Sequence, residues 1–372
     1  MIKVVNVISD ANIGGAGKCV LTFLKYYDKT KIDLHIIVPR GSLLIPEIEK
    51  LGGKYIETDG ITNKSLGKLG IKNLKAIFKE LKPDIVHAHG CMSARIAARS
   101  VKGVKIIYTR HSVFDPSPRI SKGVGKVING FVNNMTCDKI IAVAEAAKDN
   151  LLQTGLSENK ITVIQNGVEP LVPISSDERN RLRTDYNVSE EEFLMGIVAR
   201  LNEVKGHIYI LEALKRLRED GFKVKLLVAG TGDYEPKIRE KISELGIDHD
   251  VIMAGFITDV TGIMNILDVN VNASFGTEAT SLSLLEGMSL GLPAIVSNFG
   301  GNPGVVTHGE NGLIFESKNS SDLYEKLKMY FSDEGLRQKL YENSKRIFES
   351  KFRAEINTLN IENVYFDVLE GK

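Results

Sequence analysis

Short apolar runs alternate with amphipathic segments along almost the whole chain of 372 residues. Strands that alternate with helices of about 10–15 residues predict βαβ units with a parallel sheet and helices on both of its faces. The runs fall into two series. The first is KVVNVIS, LHIIVP, KYIE, DIVHAH, KIIYTR, KIIAVA and ITVIQN, and the second is FLMGIVAR, VKLLVAG, VIMAG, VNVNAS, PAIVS and GLIF. The pattern therefore predicts an α/β protein with two doubly wound parallel sheets.

A turn-rich segment separates the two series. Residues 166–180, NGVEPLVPISSDERN, contain an Asn-Gly turn, two prolines and a pair of serines, which is the chemistry of turns and linkers. We therefore expect a first domain at 1–170 and a second at 171–350. Residues 351–372 form a further helical segment without a strand to pair with.

Composition narrows the class of protein. The chain is 43% hydrophobic and 26% charged, and its three cysteines are widely spaced, which favours a reduced cytoplasmic protein without a cysteine metal site. We expect neither a signal peptide nor a membrane-spanning helix, which needs about 20 apolar residues. Residues 1–170 hold 25 Lys and Arg against 15 Asp and Glu, whereas the remainder holds 23 against 32. This asymmetry indicates different roles for the two halves.

Candidate chemistry in the first domain lies where strands end, since ligands of such folds bind beyond the carboxyl ends of the strands. Gly14 and Gly15 follow the first strand and open a helix, so they form either an anion site or a plain tight turn. His87 and His89 lie on one face of a strand, and His111 ends another. These histidines are not expected to hold a metal ion. His89 would face the ligand cleft, and the alternative is that the histidines are ordinary packed or solvated side chains.

The second domain carries two cations and two carboxylates at its corners. Arg200 and Lys205 lie between the first strand and the next helix, where an anionic diphosphate would be stabilised. Glu278 and Glu286 suit the hydroxyls of a neutral sugar or ribose, and the intervening amides can donate hydrogen bonds. These amides belong to Ala279, Thr280, Ser281 and Leu282. The alternatives are plain surface charges for Arg200 and Lys205, an ordinary loop carboxylate for Glu278, and a capping box with Ser283 for Glu286. Together the residues predict a nucleotide-sugar site.

The two glutamates stand in SFGTEATSLSLLEGMSLGLPAIVS, which resembles the signature of family-4 retaining glycosyltransferases with the GT-B fold. Further segments are similar to that family in the same order: GGAG, PDIVHAHG, TRHS, VIQNGVE, VARLNEVKGH, LLVAGTGDYEPKI, VIMAGF and SNFGGNP. The resemblance covers most of the chain. It implies two Rossmann-like domains that face each other across a cleft, and a C-terminal helix that crosses back to the first domain.

The resemblance also implies roles for the candidates in the second domain. Arg200 and Lys205 would stabilise the departing diphosphate, Glu286 would bind the ribose, and Glu278 would bind the donor hexose. The nucleotide base would meet the backbone near Phe256 and Ile257.

In the first domain, the resemblance places Gly14 and Gly15 over the phosphates or the sugar. It places His111 near the scissile bond, and His89 on the side of the acceptor.

The function implied is a retaining, metal-independent transfer of a hexose or N-acetylhexosamine. The donor is a nucleoside-diphosphate sugar, with UDP-sugars expected, and the acceptor is a cell-envelope glycan or lipid-linked glycan. The alternatives are an isomerase of the UDP-sugar 2-epimerase type and a non-catalytic sugar-nucleotide binding subunit. The chain departs from the family at Ala279 and Thr280, where Gly and an aromatic residue are usual. It also departs at Gly304, where Glu is usual.

A basic segment adds one more expectation. Six lysines would line one face of a helix, namely Lys64, Lys68, Lys72, Lys75, Lys79 and Lys82. They form either a solvated outer face or a contact with an anionic membrane at the inner side of the cell. Nucleic acid is not expected as a partner, because no aromatic residues interleave the lysines.

Overall fold

The computed structural model describes residues 1–62, 66–114 and 116–371. The chain divides into two compact units. One combines Met1–Gly167 with Ala354–Lys372, and the other is Val168–Arg353.

The first unit is built around a seven-stranded parallel sheet in the order β3-β2-β1-β4-β5-β6-β7. Its strands are β1 (Ile2–Ile8), β2 (Ile32–Pro39), β3 (Lys54–Thr58), β4 (Ile85–His89), β5 (Lys105–Arg110), β6 (Lys139–Ala142) and β7 (Ile161–Val163). The helices between them are α1 (Gly15–Tyr26), α2 (Ile45–Lys50), α3 (Lys68–Leu81), α4 (Met92–Arg99), α5 (Pro118–Ser121), α6 (Gly123–Thr136) and α7 (Glu145–Gln153).

The second unit is built around a six-stranded parallel sheet in the order β10-β9-β8-β11-β12-β13. Its strands are β8 (Phe193–Val198), β9 (Val224–Ala229), β10 (Val251–Gly255), β11 (Val269–Asn272), β12 (Ala294–Ser297) and β13 (Gly312–Phe315). Its helices are α8 (Ser176–Asp185), α9 (His207–Glu219), α10 (Glu235–Leu245), α11 (Thr261–Ile266), α12 (Leu282–Ser289), α13 (Asn302–Val305), α14 (Ser320–Ser332) and α15 (Glu334–Ile347).

The predicted fold class is confirmed, because each apolar run forms a strand and both sheets are parallel. In each sheet the strand order reverses beside the first strand of the unit, between β1 and β4 and again between β8 and β11. The loops that follow such neighbouring strands diverge and leave a crevice at the carboxyl edge of the sheet. The topology therefore favours ligand sites at these two switch points.

The last helix, α16 (Ala354–Glu370), belongs to the first unit. Its Tyr365 is fully buried in the apolar cluster that contains Val4 and Phe23. The Tyr365 hydroxyl contacts His87 Nδ1 at 2.7 Å and donates to Asn6 Oδ1 at 3.3 Å. Residues from the end of the chain thus complete the core around β1 and β4.

The basic segment forms an ordinary amphipathic surface helix. Leu74 and Phe78 of α3 are buried, whereas Lys68, Lys72 and Lys79 are exposed. Lys75 is half-buried and Lys82 ends the helix, while the predicted Lys64 lies outside the described residues. Among the described helices, none is long and apolar enough to cross a membrane.

Candidate functional site

The corner after β8 presents the two predicted cations differently. Arg200 is exposed, and its side chain makes no hydrogen bond or ion pair with a described residue. Lys205 is largely buried and ends a 3₁₀ turn, Glu203–Lys205. The next residue, Gly206, has φ +72° and packs so tightly that a Cβ there would lie 2.1 Å from the carbonyl oxygen of Ala273. This contact ties the β8 corner to the loop after β11.

The loop after β11 holds Glu278 in a polar cradle. Glu278 is buried, and its Oε2 accepts hydrogen bonds from Lys205 Nζ at 2.8 Å, Ser274 Oγ at 2.9 Å and Asn272 Nδ2 at 3.0 Å. A buried carboxylate is costly unless it is paired and hydrogen-bonded in this way. No described residue donates to Oε1. The carboxylate is therefore held rigidly by one oxygen, and the other remains available.

The structure brings together two residues that sequence analysis assigned to different parts of a ligand. We expected Lys205 beside a diphosphate and Glu278 beside a sugar, yet the two side chains form an ion pair. Since the pair lies at the switch point between β8 and β11, a ligand there can contact both charges.

The backbone of Glu278 is held as firmly as its side chain. Gly301 donates its N–H to the carbonyl oxygen of Glu278 at 3.1 Å. Gly300 has φ +60°, and a Cβ there would lie 2.2 Å from the same oxygen. Glycine is required at Gly300 for both reasons.

Helix α12 begins at Leu282, and Ser281 is its N-cap residue. The predicted donors Ala279 and Thr280 are buried in the preceding loop. The alternative reading of Glu286 as part of a capping box is wrong. Ser283, its required partner, lies inside the helix, and Glu286 lies in its middle, where it is half-buried.

The two residues predicted to meet a nucleotide base follow edge strand β10. Phe256 is exposed and Ile257 is half-buried. They leave the same carboxyl edge of the sheet as Arg200, two strands away in the order β10-β9-β8.

The glycine loop of the first unit leads from β1 into α1, with Gly14 as N-cap residue. Gly14 has an ordinary φ of −92°, and a Cβ there would meet only Asp10 Oδ2, at 3.5 Å. A Cβ on Gly15 would meet nothing within 4 Å. The fold therefore requires glycine at neither position, unlike Gly17, where a Cβ would lie 2.9 Å from Leu44.

The three predicted histidines of the first unit gather on β4 and just after β5, beside the switch point between β1 and β4. His89 Nδ1 and His111 Nε2 lie 2.9 Å apart, and the rings of His87 and His89 lie tilted against each other with centroids 4.2 Å apart. Burial lowers the pKa of His87 to about 3 and that of His111 to about 4, and it lowers the pKa of His89 as well. All three imidazoles are consequently neutral at neutral pH.

Hydrogen bonds define the tautomer of His87. The Tyr365 hydroxyl donates its hydrogen bond to Asn6 Oδ1. The same hydroxyl oxygen therefore accepts a hydrogen bond from Nδ1–H of His87. Nε2 of His87 then accepts from the hydroxyl of Thr109 at 2.6 Å. With both ring nitrogens engaged, His87 has none left for a metal. Across the described ranges, no group of three or more His, Cys, Asp or Glu residues is arranged to hold a metal ion.

A pocket of about 460 Å³ opens at this edge of the first sheet. His89 and His111 line it, and His89 Nε2 and His111 Nδ1 are buried without a hydrogen-bond partner. Arg95 also lines it, and its guanidinium donates to Asn133 Oδ1 at 3.0 Å while Nε has no partner. No described carboxylate pairs with Arg95. A buried cation with an unpaired donor favours an anionic ligand.

The residues that support these groups were not predicted from the sequence. Asn272 and Ser274 hold Glu278, whereas Thr109 and Tyr365 orient His87. One signal was present for Asn272, because an asparagine at the end of an otherwise buried strand needs a hydrogen-bond partner. Nothing in the sequence connects Tyr365 with His87, because 278 positions separate them.

Comparison with known proteins covers both units. Residues 13–170 match the family model "Glycosyltransferase Family 4", and residues 178–347 match "Glycosyl transferases group 1". The chain is 29% identical to the capsular polysaccharide biosynthesis glycosyltransferase CapM of Staphylococcus aureus over 63% of each chain. It is 24% identical to the UDP-Gal:alpha-D-GlcNAc-diphosphoundecaprenol alpha-1,3-galactosyltransferase of Escherichia coli, over 100% of this chain and 98% of that one.

A solved structure extends the comparison to the fold. Alr3699/HepE of Anabaena, crystallised with UDP and glucose, superposes with a TM-score of 0.85 over 98% of this chain and 99% of that chain, at 20% identity. One assignment follows from three observations: the two parallel Rossmann-like sheets, this structural match, and the two family models that adjoin along the chain. The chain belongs to the group 1, or family 4, glycosyltransferases with the GT-B fold.

Proposed function

We propose that this glycosyltransferase transfers a hexose or N-acetylhexosamine from a UDP-sugar to a lipid-linked glycan of the cell envelope. The observation that carries the proposal is the Lys205–Glu278 ion pair beside the unpaired Arg200, at the switch point of the second sheet. The E. coli relative is named for UDP-Gal and a diphosphoundecaprenol acceptor, and the Anabaena structure holds UDP and glucose. These names support a UDP-sugar and a lipid diphosphate here.

In this proposal the second unit binds the donor. The diphosphate lies against Arg200 and Lys205, the hydroxyls of the ribose against Glu286, and the base near Phe256 and Ile257. Two cations stabilise the charge that develops on the departing UDP, so no metal ion is required for that task. Preorganised donors of this kind are each worth about 3–4 kcal/mol in the transition state.

Glu278 is the proposed contact for the donor sugar. Its Oε2 is occupied by three donors, so Oε1 is the oxygen left to accept a sugar hydroxyl. The acceptor hydroxyl attacks C1 of the sugar from the side on which UDP departs. The C1–O bond to the phosphate breaks, the C1–O bond to the acceptor forms, and the hydroxyl proton passes to the leaving phosphate. The configuration at C1 is retained.

The first unit binds the acceptor in this proposal. The 460 Å³ pocket offers the neutral His89–His111 pair for hydroxyl groups and Arg95 for a phosphate. An epimerase that adds and removes a nucleotide would be expected to place several acids here. Asp10 is the single carboxylate among the described residues that line the pocket, and this observation favours transfer.

The direct test is thermal unfolding with UDP, GDP or ADP, with Mg²⁺ or with EDTA. UDP at 100 times its Kd should stabilise the protein by about 2.7 kcal/mol, equally with and without Mg²⁺. Glu286→Ala should weaken the shift because the ribose loses its acceptor, whereas Glu325→Ala is the matched control outside the site. The nucleotide site is wrong if no diphosphate stabilises the protein, and metal independence is wrong if EDTA abolishes the shift.

The glycine loop gives a second prediction. Gly15→Ala should leave the melting temperature unchanged, because the added methyl meets no protein atom. It should lower kcat/KM roughly tenfold or more, because displacement of a bound reactant by even 1 Å can cost about 100-fold. Steady-state kinetics with a UDP-sugar measure this effect. Gly335→Ala, the same change on α15, should leave kcat/KM unaltered. Equal kinetics for Gly15→Ala and wild type would contradict the role of the loop.

A further inference from the structure

Helix α6 turns its apolar face to solvent. Six large apolar side chains are between 40% and 75% exposed, namely Val124, Val127, Ile128, Phe131, Val132 and Met135. Their spacing of three and four residues places them on one side of the helix. We call these six residues the α6 stripe. A surface helix ordinarily buries such a stripe, so this arrangement needs an explanation.

Specific contacts hold the helix in this orientation. Asn129 donates to the carbonyl oxygen of Thr154 at 2.7 Å, and Asn134 donates to that of Gly155 at 3.3 Å. Asn133 accepts from Arg95. Gly130 lies against Gly155 so closely that a Cβ would come within 2.1 Å of its carbonyl oxygen. The polar face is thus built to face the protein, and the stripe faces outward as a consequence.

Positive charge lies at the N-terminal end of the stripe. Residues 116–136, which contain α5 and α6, carry Arg119, Lys122 and Lys126 and no Asp or Glu. Apolar side chains with flanking cations on one helix are the combination that binds anionic lipid at the level of the headgroups. A protein partner of mixed charge would leave these cations uncompensated.

The same elements line the proposed acceptor pocket. Ile120 of α5 and Asn129 and Asn133 of α6 all border it. A lipid-linked acceptor keeps its lipid tail in the membrane, so its headgroup is within reach only of a pocket beside a membrane-seated surface. The stripe and the pocket are therefore placed as such an acceptor requires.

We propose that the α6 stripe, with Arg119, Lys122 and Lys126, seats this protein on an anionic membrane surface. The inference rests on the proposed function for its lipid-linked acceptor, but its test does not. It also relocates the membrane contact that the sequence suggested for α3. That helix buries Leu74 and Phe78 and presents its lysines without a comparable apolar stripe.

The test is sedimentation of the full-length protein with vesicles of phosphatidylcholine, with and without phosphatidylglycerol. Wild type should bind the anionic vesicles and bind the neutral ones far more weakly. Ile128→Ser with Phe131→Ser should lower the partition coefficient roughly tenfold or more, because two side chains no longer enter the headgroup layer. Lys122→Gln with Lys126→Gln should lower it by about fivefold for each lysine.

Matched variants separate this surface from others. Met329→Ser with Leu359→Ser removes two exposed apolar side chains elsewhere, and Lys72→Gln with Lys79→Gln removes two lysines of α3. Neither pair should change binding. The proposal is overturned if these controls lose binding equally, or if wild type binds no vesicles. It is also overturned if the stripe variants bind vesicles as wild type does and differ from wild type only in being monomers where wild type is a dimer.

UDP binding to the same samples distinguishes the two proposals. If UDP binds and vesicles do not, membrane seating alone is wrong. If vesicles bind and UDP does not, the donor site is wrong and the membrane surface stands.

Discussion

Arg200→Ala is expected to lower kcat about 100- to 1,000-fold while the melting temperature stays at the wild-type value. The loss follows from removal of a preorganised cation that meets charge only as UDP departs. Stability is unaffected because the Arg200 side chain is exposed and has no partner among the described residues. Release of UDP from a UDP-sugar in the presence of acceptor measures kcat, and thermal unfolding measures stability.

Two further lysine variants serve as comparisons for Arg200→Ala. Lys205→Ala should lose activity and some stability together, because the buried Glu278 is left without its cation. Lys237→Ala breaks an exposed pair with Glu240 and should change neither quantity measurably. Normal turnover by Arg200→Ala would remove Arg200 from the mechanism.

Acidification from pH 7 to pH 5 is expected to destabilise the protein by on the order of 4 kcal/mol through His87 and His207, with a further loss from His89. His87, His89 and His207 are each less than a tenth exposed. Burial lowers the pKa of all three, to about 3 for His87 and about 4 for His207. In the unfolded chain their pKa is about 6.5. The unfolded state therefore binds protons first, and stability is lost as the pH falls below about 6.5. The loss at pH 5 is about 2 kcal/mol each for His87 and His207, and His89 contributes in the same direction.

Urea unfolding at a series of pH values measures this loss. His207→Leu is the informative variant, because both ring nitrogens of His207 are buried without a partner. Leucine retains most of the volume, and the loss between pH 7 and pH 5 should shrink by about 2 kcal/mol. A variant that keeps the full pH dependence of wild type would show that His207 is not the titrating group. Stability of wild type that is equal at both pH values would contradict the pKa shifts of all three residues.

The sequence predicted the fold well because the strands are buried on both faces. Runs such as VKLLVAG and KIIAVA are almost wholly apolar, and only a central parallel strand buries such a run. The amphipathic helical segments between these strands then specify βαβ units, whose handedness and strand order are tightly restricted. A switch point beside the first strand of each unit follows from the same restrictions.

The candidate site was predicted less completely. Arg200 and Glu278 could be found because each follows a predicted strand, where ligands of this fold bind. The direct contact of Lys205 with Glu278 could not, since it depends on how two loops 73 positions apart approach each other. The partners of His87 lie on β5 and on α16, and this pairing is likewise set by tertiary packing.

In helix α6, apolar periodicity does not identify the buried face. Its apolar periodicity alone would place Val127, Ile128 and Phe131 in the core. The structure instead buries Gly130 and turns the half-buried asparagines toward the protein, because Gly130 allows the backbones to approach and the asparagines find carbonyl acceptors. Periodicity identifies which residues share a face, but it does not identify what that face contacts.

The position of α16 has a consequence for the order in which the chain folds during synthesis. The first unit needs Tyr365 to fill its core and to satisfy His87 and Asn6. These partners leave the ribosome only after the whole second unit, Val168–Arg353, has been made. The segment that is translated first thus remains incomplete for most of synthesis, whereas the second unit has every residue of its own core beforehand. A nascent chain of this protein is therefore expected to complete the fold of its middle before that of its beginning.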